Sequence, residues 1–228
     1  MKSIEERKAL HGEEYARAFD ARQSRRRLDV ILKYVRLRGT DRMLDIGCGS
    51  GLLMEAMAGR IGSYVGIDFS PAFVAIARDK AARLGFATAS IVESGIEEYC
   101  AAAGASFDAA FALDLSEHIY DSEWLTILRA VRTVLRAEGR LYLHTPSGEF
   151  FIEKMKARGV LLRQHAEHVA VRTMQENLQL LRVAGYEILQ AVRVPHYNIL
   201  RLVHPLAYLP GIGPWFGARL VIEARPTS

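Results

Sequence analysis

Three side chains able to bind a cation or move a proton fall within a few positions of one another: Asp114, Glu117 and His118, in the run DLSEHIYD. Residues of these types at this spacing support three chemistries. In the first, Asp114 and Ser116 cap the following helix and His118 packs as a hydrogen-bonded histidine. In the second, His118 is a metal-free general base, because an imidazole near its ordinary pKa takes a proton from a phenol or similar hydroxyl near neutral pH. In the third, both carboxylates and His118 hold a divalent cation that lowers the pKa of a bound hydroxyl.

A second group lies upstream. LDIGCGSGLLMEAMA places Asp45 before Gly47, Gly49 and Gly51 and then turns helical. A glycine-rich turn between strand and helix lets backbone approach a ligand closely and aims helix amides at it. The dinucleotide fingerprint needs a third glycine three residues after the second. Leu52 stands there, so NAD and FAD are disfavoured. Asp45 would also repel a pyrophosphate, whereas it attracts an ammonium group. About twenty residues on, GIDFSP presents Asp68, an acid placed to accept hydrogen bonds from both ribose hydroxyls. Ser70 is the better cap for the helix beginning at Pro71, which leaves Asp68 available for that role.

These residues need a scaffold, and the hydrophobic pattern supplies one. RMLDIG, SYVGIDF, ATASIVE, FDAAFAL and RLYLHTP read as strands, separated by the helical stretches LLMEAMAGRI, PAFVAIARDKAARLG, GIEEYCAAAG and SEWLTILRAVRTVLRAEG. Such alternation predicts βαβ units and a doubly wound, mostly parallel sheet covered on both faces. Ligands of such sheets sit at the carboxyl ends of the strands. DLSEH leaves the fourth strand at that edge, so the acid and histidine cluster faces the ligand side.

The whole chain narrows the classes further. Its 228 residues suit one domain with a full core, and half of them are hydrophobic, which argues against disorder. A net charge of +4 from 30 basic and 26 acidic residues is far from the basic stripe of a dedicated DNA binder. The local cluster Arg22, Arg25, Arg26 and Arg27 reads as the solvated face of a helix whose apolar side carries Leu28, Ile31, Leu32 and Val35. Phosphate contact is the other reading. Cys48 and Cys100 have no paired or ligand-like spacing, so neither a disulfide framework nor a zinc site is expected, and a reducing cytoplasm is the expected location. No signal-peptide core or membrane span is read from the sequence.

The order of these motifs resembles the class I S-adenosylmethionine-dependent methyltransferases. LDIGCGSG is similar to their first motif, GIDFSP to their acid-tipped second strand, FDAAFALDLSEHIYD to their fourth-strand motif, and LRAEGRLYLHTP to the segment leading into strand five. The likeness covers about residues 40–195. It implies a Rossmann-like, seven-stranded sheet with an antiparallel last strand, here ARLVIEAR. It puts Asp45 near the methionine ammonium, Gly47, Gly49 and Gly51 along the cofactor, Asp68 on the ribose and Phe69 against the adenine. Where many members have an Asp after strand three, this chain has VESGIEEY, so Glu93, Ser94 or Ile96 must substitute. Leu113, at the end of strand four, completes the expected cofactor contacts. The domain is expected to span 1–228, with an N-terminal helical cap at 1–39, a cofactor-binding half at 40–145 and an acceptor-side half at 146–228. That second half carries inserts at 146–173 and 196–218.

Within the superfamily, two metal-assisted branches are similar at the fourth-strand exit. Ubiquinone-biosynthesis O-methyltransferases carry a Glu-x-x-Glu-His run there. Small-RNA 2′-O-methyltransferases add a later histidine five residues before a threonine, a spacing that His168 matches to Thr173 and His165 does not. The resemblance therefore implies Asp114, Glu117, His118 and His168 as ligands for Mg2+ or Mn2+, with His118 and His168 as the catalytic histidines. Asp114 is one methylene shorter than the Glu of those branches, and Ser147 and Phe151 replace two of their asparagines. The apolar stretch YNILRLVHPLAYLPGIGPWFG, with Tyr197, Tyr208, Trp215 and Phe216, either packs on the sheet edge or forms an acceptor pocket or interfacial patch for lipid-like substrates. O-methylation of a small or lipid-like hydroxyl, with peripheral membrane contact, is the expectation. RNA 2′-O-methylation and a non-catalytic S-adenosylmethionine-binding module are the alternatives.

Overall fold

The computed structural model describes residues 12–104, 106–157, 159 and 168–227. Seven strands form one sheet in the order β3-β2-β1-β4-β5-β7-β6. They are β1 (Arg42–Ile46), β2 (Ser63–Asp68), β3 (Ala89–Glu93), β4 (Phe107–Leu113), β5 (Leu135–Pro146), β6 (Tyr186–Val194) and β7 (Arg219–Pro226). The pairings among β1 to β5 are parallel, and β7 runs antiparallel to both β5 and β6. The expected doubly wound sheet with an antiparallel last strand is the one observed. Strand order reverses beside β1, which puts the ends of β1 and β4 at the crevice where open α/β sheets bind ligands.

The sheet separates two cores. On β4, Ala110 and Ala112 belong to the cluster built around Trp124, Leu128 and Val131, while Ala109 and Phe111 face the cluster of Met43, Met54 and Tyr64. The period of two in side-chain direction makes this division, and it accounts for the near-continuous apolar run FDAAFAL. Helix Asp121–Val134 covers one face with its buried Trp124, Ile127, Leu128, Val131 and Val134. Helix Pro71–Arg83 covers the other, and Ser70 caps it by accepting the Phe73 amide at 3.4 Å, as expected. Two N-terminal helices, Glu13–Arg22 and Arg25–Ile31, lie on that second side. Phe19 sets its ring edge-on to Phe73 at 5.4 Å, and Leu28 and Ile31 enter the core.

The helix expected to run through LRAEG stops at Val134 instead. Leu135 adopts extended backbone and pairs with Phe107, so tertiary pairing overrides helix propensity there. At Gly139 a Cβ would lie 2.9 Å from the carbonyl oxygens of Phe107 and Arg136, so this one position in the irregular start of β5 accepts no side chain. Helix Met174–Val183 begins at a capping box in which Thr173 and Glu176 bond reciprocally. The apolar insert forms 3₁₀ helices at Ile199–Tyr208 and Gly213–Trp215. Among the described residues no helix is long and apolar enough to cross a membrane.

Candidate active site

The cofactor end is assembled by backbone first. Gly47 and Cys48 both donate their amides to the Ile67 carbonyl, at 2.8 and 3.0 Å, which ties the glycine turn to the tip of β2. Gly47, Gly49 and Gly51 have φ of 68°, 53° and 79°, the left-handed region that only glycine enters cheaply. At Gly51 a Cβ would sit 3.3 Å from that of Ala77, so glycine also permits the close approach of helix Pro71–Arg83. At Gly49 a Cβ would meet nothing within 4 Å: the turn is open on the side where a ligand backbone contact is expected.

Asp68 accepts the Gly49 amide on one carboxylate oxygen and the Ser70 amide on the other, both at 2.9 Å. These two bonds fix the orientation of the carboxylate at the tip of β2. The Ser94 amide donates to the Asp68 carbonyl at 3.2 Å, bringing the exit of β3 to the same edge. The Ser94 hydroxyl turns to the Gly95 carbonyl and Glu98, at 3.0 and 3.2 Å. Phe69, Ile96 and Leu113 are half-buried around this edge. Asp45 is 3 % exposed, and the Tyr64 hydroxyl donates to it at 2.6 Å. Burial raises the Asp45 carboxyl to about 7; Asp68 pushes the same way, while Tyr64 and the Arg27 guanidinium oppose. Open turn, oriented Asp68 and buried Asp45 together fit S-adenosylmethionine, whose sulfonium and ammonium are both cationic.

On the acceptor side the structure brings Glu117, His118 and His168 together, with one ligand atom of each within 4.8 Å of the others. Glu117 and His118 come from a short 3₁₀ turn, Ser116–His118, directly after β4. His168 arrives from a distant segment, and its placement has an identifiable cause. The Glu117 carbonyl accepts the amides of Val169 at 2.9 Å and Ala170 at 3.0 Å, which lays that segment against the turn. Arg172, 4 % exposed, then donates to the carbonyls of Ser116 at 2.7 Å and Ile119 at 2.6 Å and to Asp121 at 2.8 Å. The His118 and His168 rings meet edge to face, with centroids 4.9 Å apart. Thr145 donates to the Glu117 carboxyl at 3.2 Å. Burial raises that carboxyl to about 8; Asp114 adds to the rise, while Arg219 and the Thr145 bond oppose it.

Asp114 is not brought into this group. Its backbone is left-handed, with φ of 52°, and its carboxylate is held by Arg219, by His144 at 2.9 Å and by Arg27 at 3.0 Å. Burial alone would raise the Asp114 carboxyl, but Arg219, then His144 and Arg27, outweigh it and hold the group well below the usual carboxylate range. The expectation of a fourth ligand at this position is therefore corrected to an acid engaged by three other partners. The same geometry corrects the reading of Arg27. Arg22, Arg25 and Arg26 are exposed, but Arg27 lies on the inward edge of its helix beside buried Leu28, only 17 % exposed.

His144 on β5 and Arg219 on β7 were not singled out from the sequence. The available signal was their position: a polar residue near the carboxyl end of β5 and the first residue of β7, both interrupting apolar strands. Arg219 also lies 5.3 Å beneath the Tyr197 ring, linking the apolar insert to this network. Glu149 is taken up structurally, accepting from Arg193 at 2.8 Å and from the Met174 amide at 3.4 Å. Ser147 is buried at the base of the same segment, its amide bonded to the Ala218 carbonyl. His165 lies outside the described residues.

Comparison with known proteins agrees with this fold. Residues 43–139 match a family model described as a methyltransferase domain. The ubiquinone biosynthesis O-methyltransferase of Xanthomonas campestris pv. campestris is 40 % identical over 120 residues, 52 % of this chain and 48 % of that protein. The chain thus spans about half the length of the curated relatives it matches. Among solved structures, the complex between the Haloferax volcanii Trm112 methyltransferase activator and the putative methyltransferase contains a similar chain. It has a TM-score of 0.71 at 14 % identity, over 97 % of both chains. The [4+2]-cyclase SpnF gives a TM-score of 0.65 at 24 % identity, over 89 % of this chain and 81 % of that one. The two structural likenesses are of fold; a cyclase among them means that fold alone does not assign the reaction.

Proposed function

We propose that this chain, which carries a class I S-adenosylmethionine-dependent methyltransferase domain, methylates a hydroxyl oxygen on a small or lipid-like acceptor with the help of a divalent cation. The observation that carries the reading is the convergence of Glu117, His118 and His168 just after β4, the strand paired with β1, from which the glycine turn leaves. Relatives named for O-methylation in ubiquinone biosynthesis support the acceptor class.

S-adenosylmethionine supplies a methyl group already activated on a sulfonium, so the chain's own tasks are orientation, exclusion of water and removal of a proton. Asp68 holds the ribose and Asp45 faces the ammonium. Arg172 and the Glu117 carbonyl fix the turn and the His168 segment so that both imidazoles meet the acceptor hydroxyl. A cation held by Glu117, His118 and His168 would lower the pKa of that hydroxyl when bound. With Asp114 engaged elsewhere, the donor set is one carboxylate and two imidazoles. Of Mg2+ and Mn2+, it suits Mn2+ better, because imidazole is a softer ligand than the oxygens Mg2+ prefers.

The test is methyl transfer to a hydroxylated arene with Mn2+ present, repeated after exhaustive chelation and with His168→Ala. Ether product that depends on both supports the reading. Full activity after both removes the cation from the mechanism, and product on RNA alone, or none at all, favours the RNA or non-catalytic alternative.

A further inference from the structure

Among the described residues, Asp114 is the one non-glycine residue with a positive φ, 52°. Asp and Asn enter that region more readily than other side chains, because a short polar group bonds locally, yet it stays sparsely populated. Its place in the chain shows what the bend does. Leu113 is the last residue of β4 in register with β5, opposite His144, and the Asp114 amide still donates to the His144 carbonyl at 2.9 Å. An extended Asp114 would carry the chain on beside Thr145. The left-handed residue ends the ladder and turns the chain away from β5.

The turn that follows is closed on two sides. Leu115 reaches toward the end of β1, where a Cβ on Gly47 would lie 2.9 Å from its Cδ1. Ser116 and Glu117 come back to β5. The Ser116 hydroxyl donates to that of Thr145 at 3.1 Å, and Thr145 donates to the Glu117 carboxyl at 3.2 Å. The Leu115 carbonyl accepts the His118 amide at 3.1 Å, which sets the backbone from which that imidazole starts.

Charge holds the bend. Three groups from three elements meet the Asp114 carboxylate: Arg27 of helix Arg25–Ile31 at 3.0 Å, His144 of β5 at 2.9 Å, and Arg219 of β7. The Asp114 side chain is only 14 % exposed, so water competes little for it. We infer that Asp114 is a positioning residue, whose carboxylate, gripped by Arg27, His144 and Arg219, locks the left-handed bend that sets the turn carrying Glu117 and His118 against His168. The inference rests on the role proposed above for that cluster, and it gives the first acid of DLSEH a task other than ligation.

Four substitutions test it, read by kcat at saturating cofactor and by the nuclear Overhauser effect between the His118 and His168 imidazole protons, whose ring centroids lie 4.9 Å apart. Asp114→Ala and Asp114→Gly remove the same carboxylate and leave the same cations unpaired, so they differ chiefly in backbone freedom. The glycine variant is expected to turn over about fivefold faster than the alanine variant. Asp114→Asn keeps an acceptor and a side chain that tolerates the bend, and is expected to stay within about threefold of the parent kcat with the imidazole contact kept. Asp114→Glu keeps the charge but not that tolerance, and is expected to lose about tenfold in kcat, together with the contact, at unchanged KM for the cofactor.

If Asp114 were a cation ligand the order would invert, with the Glu variant active and the Asn variant inactive, and that result overturns the inference. Parent-like kcat and imidazole contact in Asp114→Ala and Asp114→Glu, with only the melting temperature lowered, overturns it too. Should the Ala and Gly variants not fold, Asn and Glu, which leave the arginines an acceptor, decide by the same order. Imidazole contacts that follow the expected order in a chain giving no methyl transfer to a hydroxylated arene count against the proposed reaction and leave the positioning role standing.

Discussion

The carbonyl of Glu117 accepts the amide of Val169 at 2.9 Å, and through that bond a segment about fifty residues further along the chain is laid against the exit of β4. His168 stands beside His118 because its neighbour is pinned. Val169→Pro removes the donor. Losing one backbone hydrogen bond costs about 1 kcal/mol, so the fold is expected to survive while His168 drifts from the site. Turnover is expected to fall at least tenfold with cofactor affinity unchanged, as read by steady-state kinetics beside calorimetry.

Arg172 is the second clamp on that turn. It is buried and makes charge-assisted bonds to two carbonyls and Asp121. Arg172→Ala leaves those carbonyls without their donor and is expected to cost roughly 3 kcal/mol of stability, measurable as a lowered urea midpoint.

Asp68 is expected to govern cofactor binding through the ribose. Hydrogen bonds to a charged acceptor contribute about 1.5–3 kcal/mol, so Asp68→Ala is expected to weaken S-adenosylmethionine by at least tenfold in calorimetry. An unchanged affinity would remove the assignment.

Asp45 is expected to make that affinity depend on pH. Burial raises its carboxyl to about 7, so below that pH the folded, ligand-free group is protonated and offers the ammonium no charge. Cofactor affinity is expected to fall as pH drops through 7, and binding near pH 7 is expected to release a proton. Tyr64→Phe removes a bond that stabilises the carboxylate, so the midpoint is expected to move upward. A profile that is flat between pH 6 and 8 in the parent chain would contradict the role.

The glycine turn and the acid at the tip of β2 were legible in the sequence because their determinants are local. A glycine turn and an acid at a strand tip declare themselves by type and spacing, and Gly47, Gly49, Gly51 and Asp68 stand at the expected edge. The cluster after β4 was legible only in part. Glu117 and His118 share one turn, and the spacing to Thr173 pointed to His168. The turning of Asp114 toward Arg27, His144 and Arg219 depends on three elements that meet only in the folded sheet, and no spacing encodes it. Arg27 was misread for a related reason. A run of four arginines around a helix start looks uniformly solvated until the burial of Leu28 and Ile31 sets which of them faces inward.

The most direct test of the central claim is transfer of labelled methyl from S-adenosylmethionine to an alkyl-substituted phenol, measured with Mn2+, after chelation, and after Mn2+ is restored. The expected product is an aryl methyl ether whose rate of formation collapses on chelation, recovers with the ion, and stays low in His118→Ala and His168→Ala while cofactor affinity holds. Ether formation at the parent rate in the chelated enzyme and in both variants would contradict it.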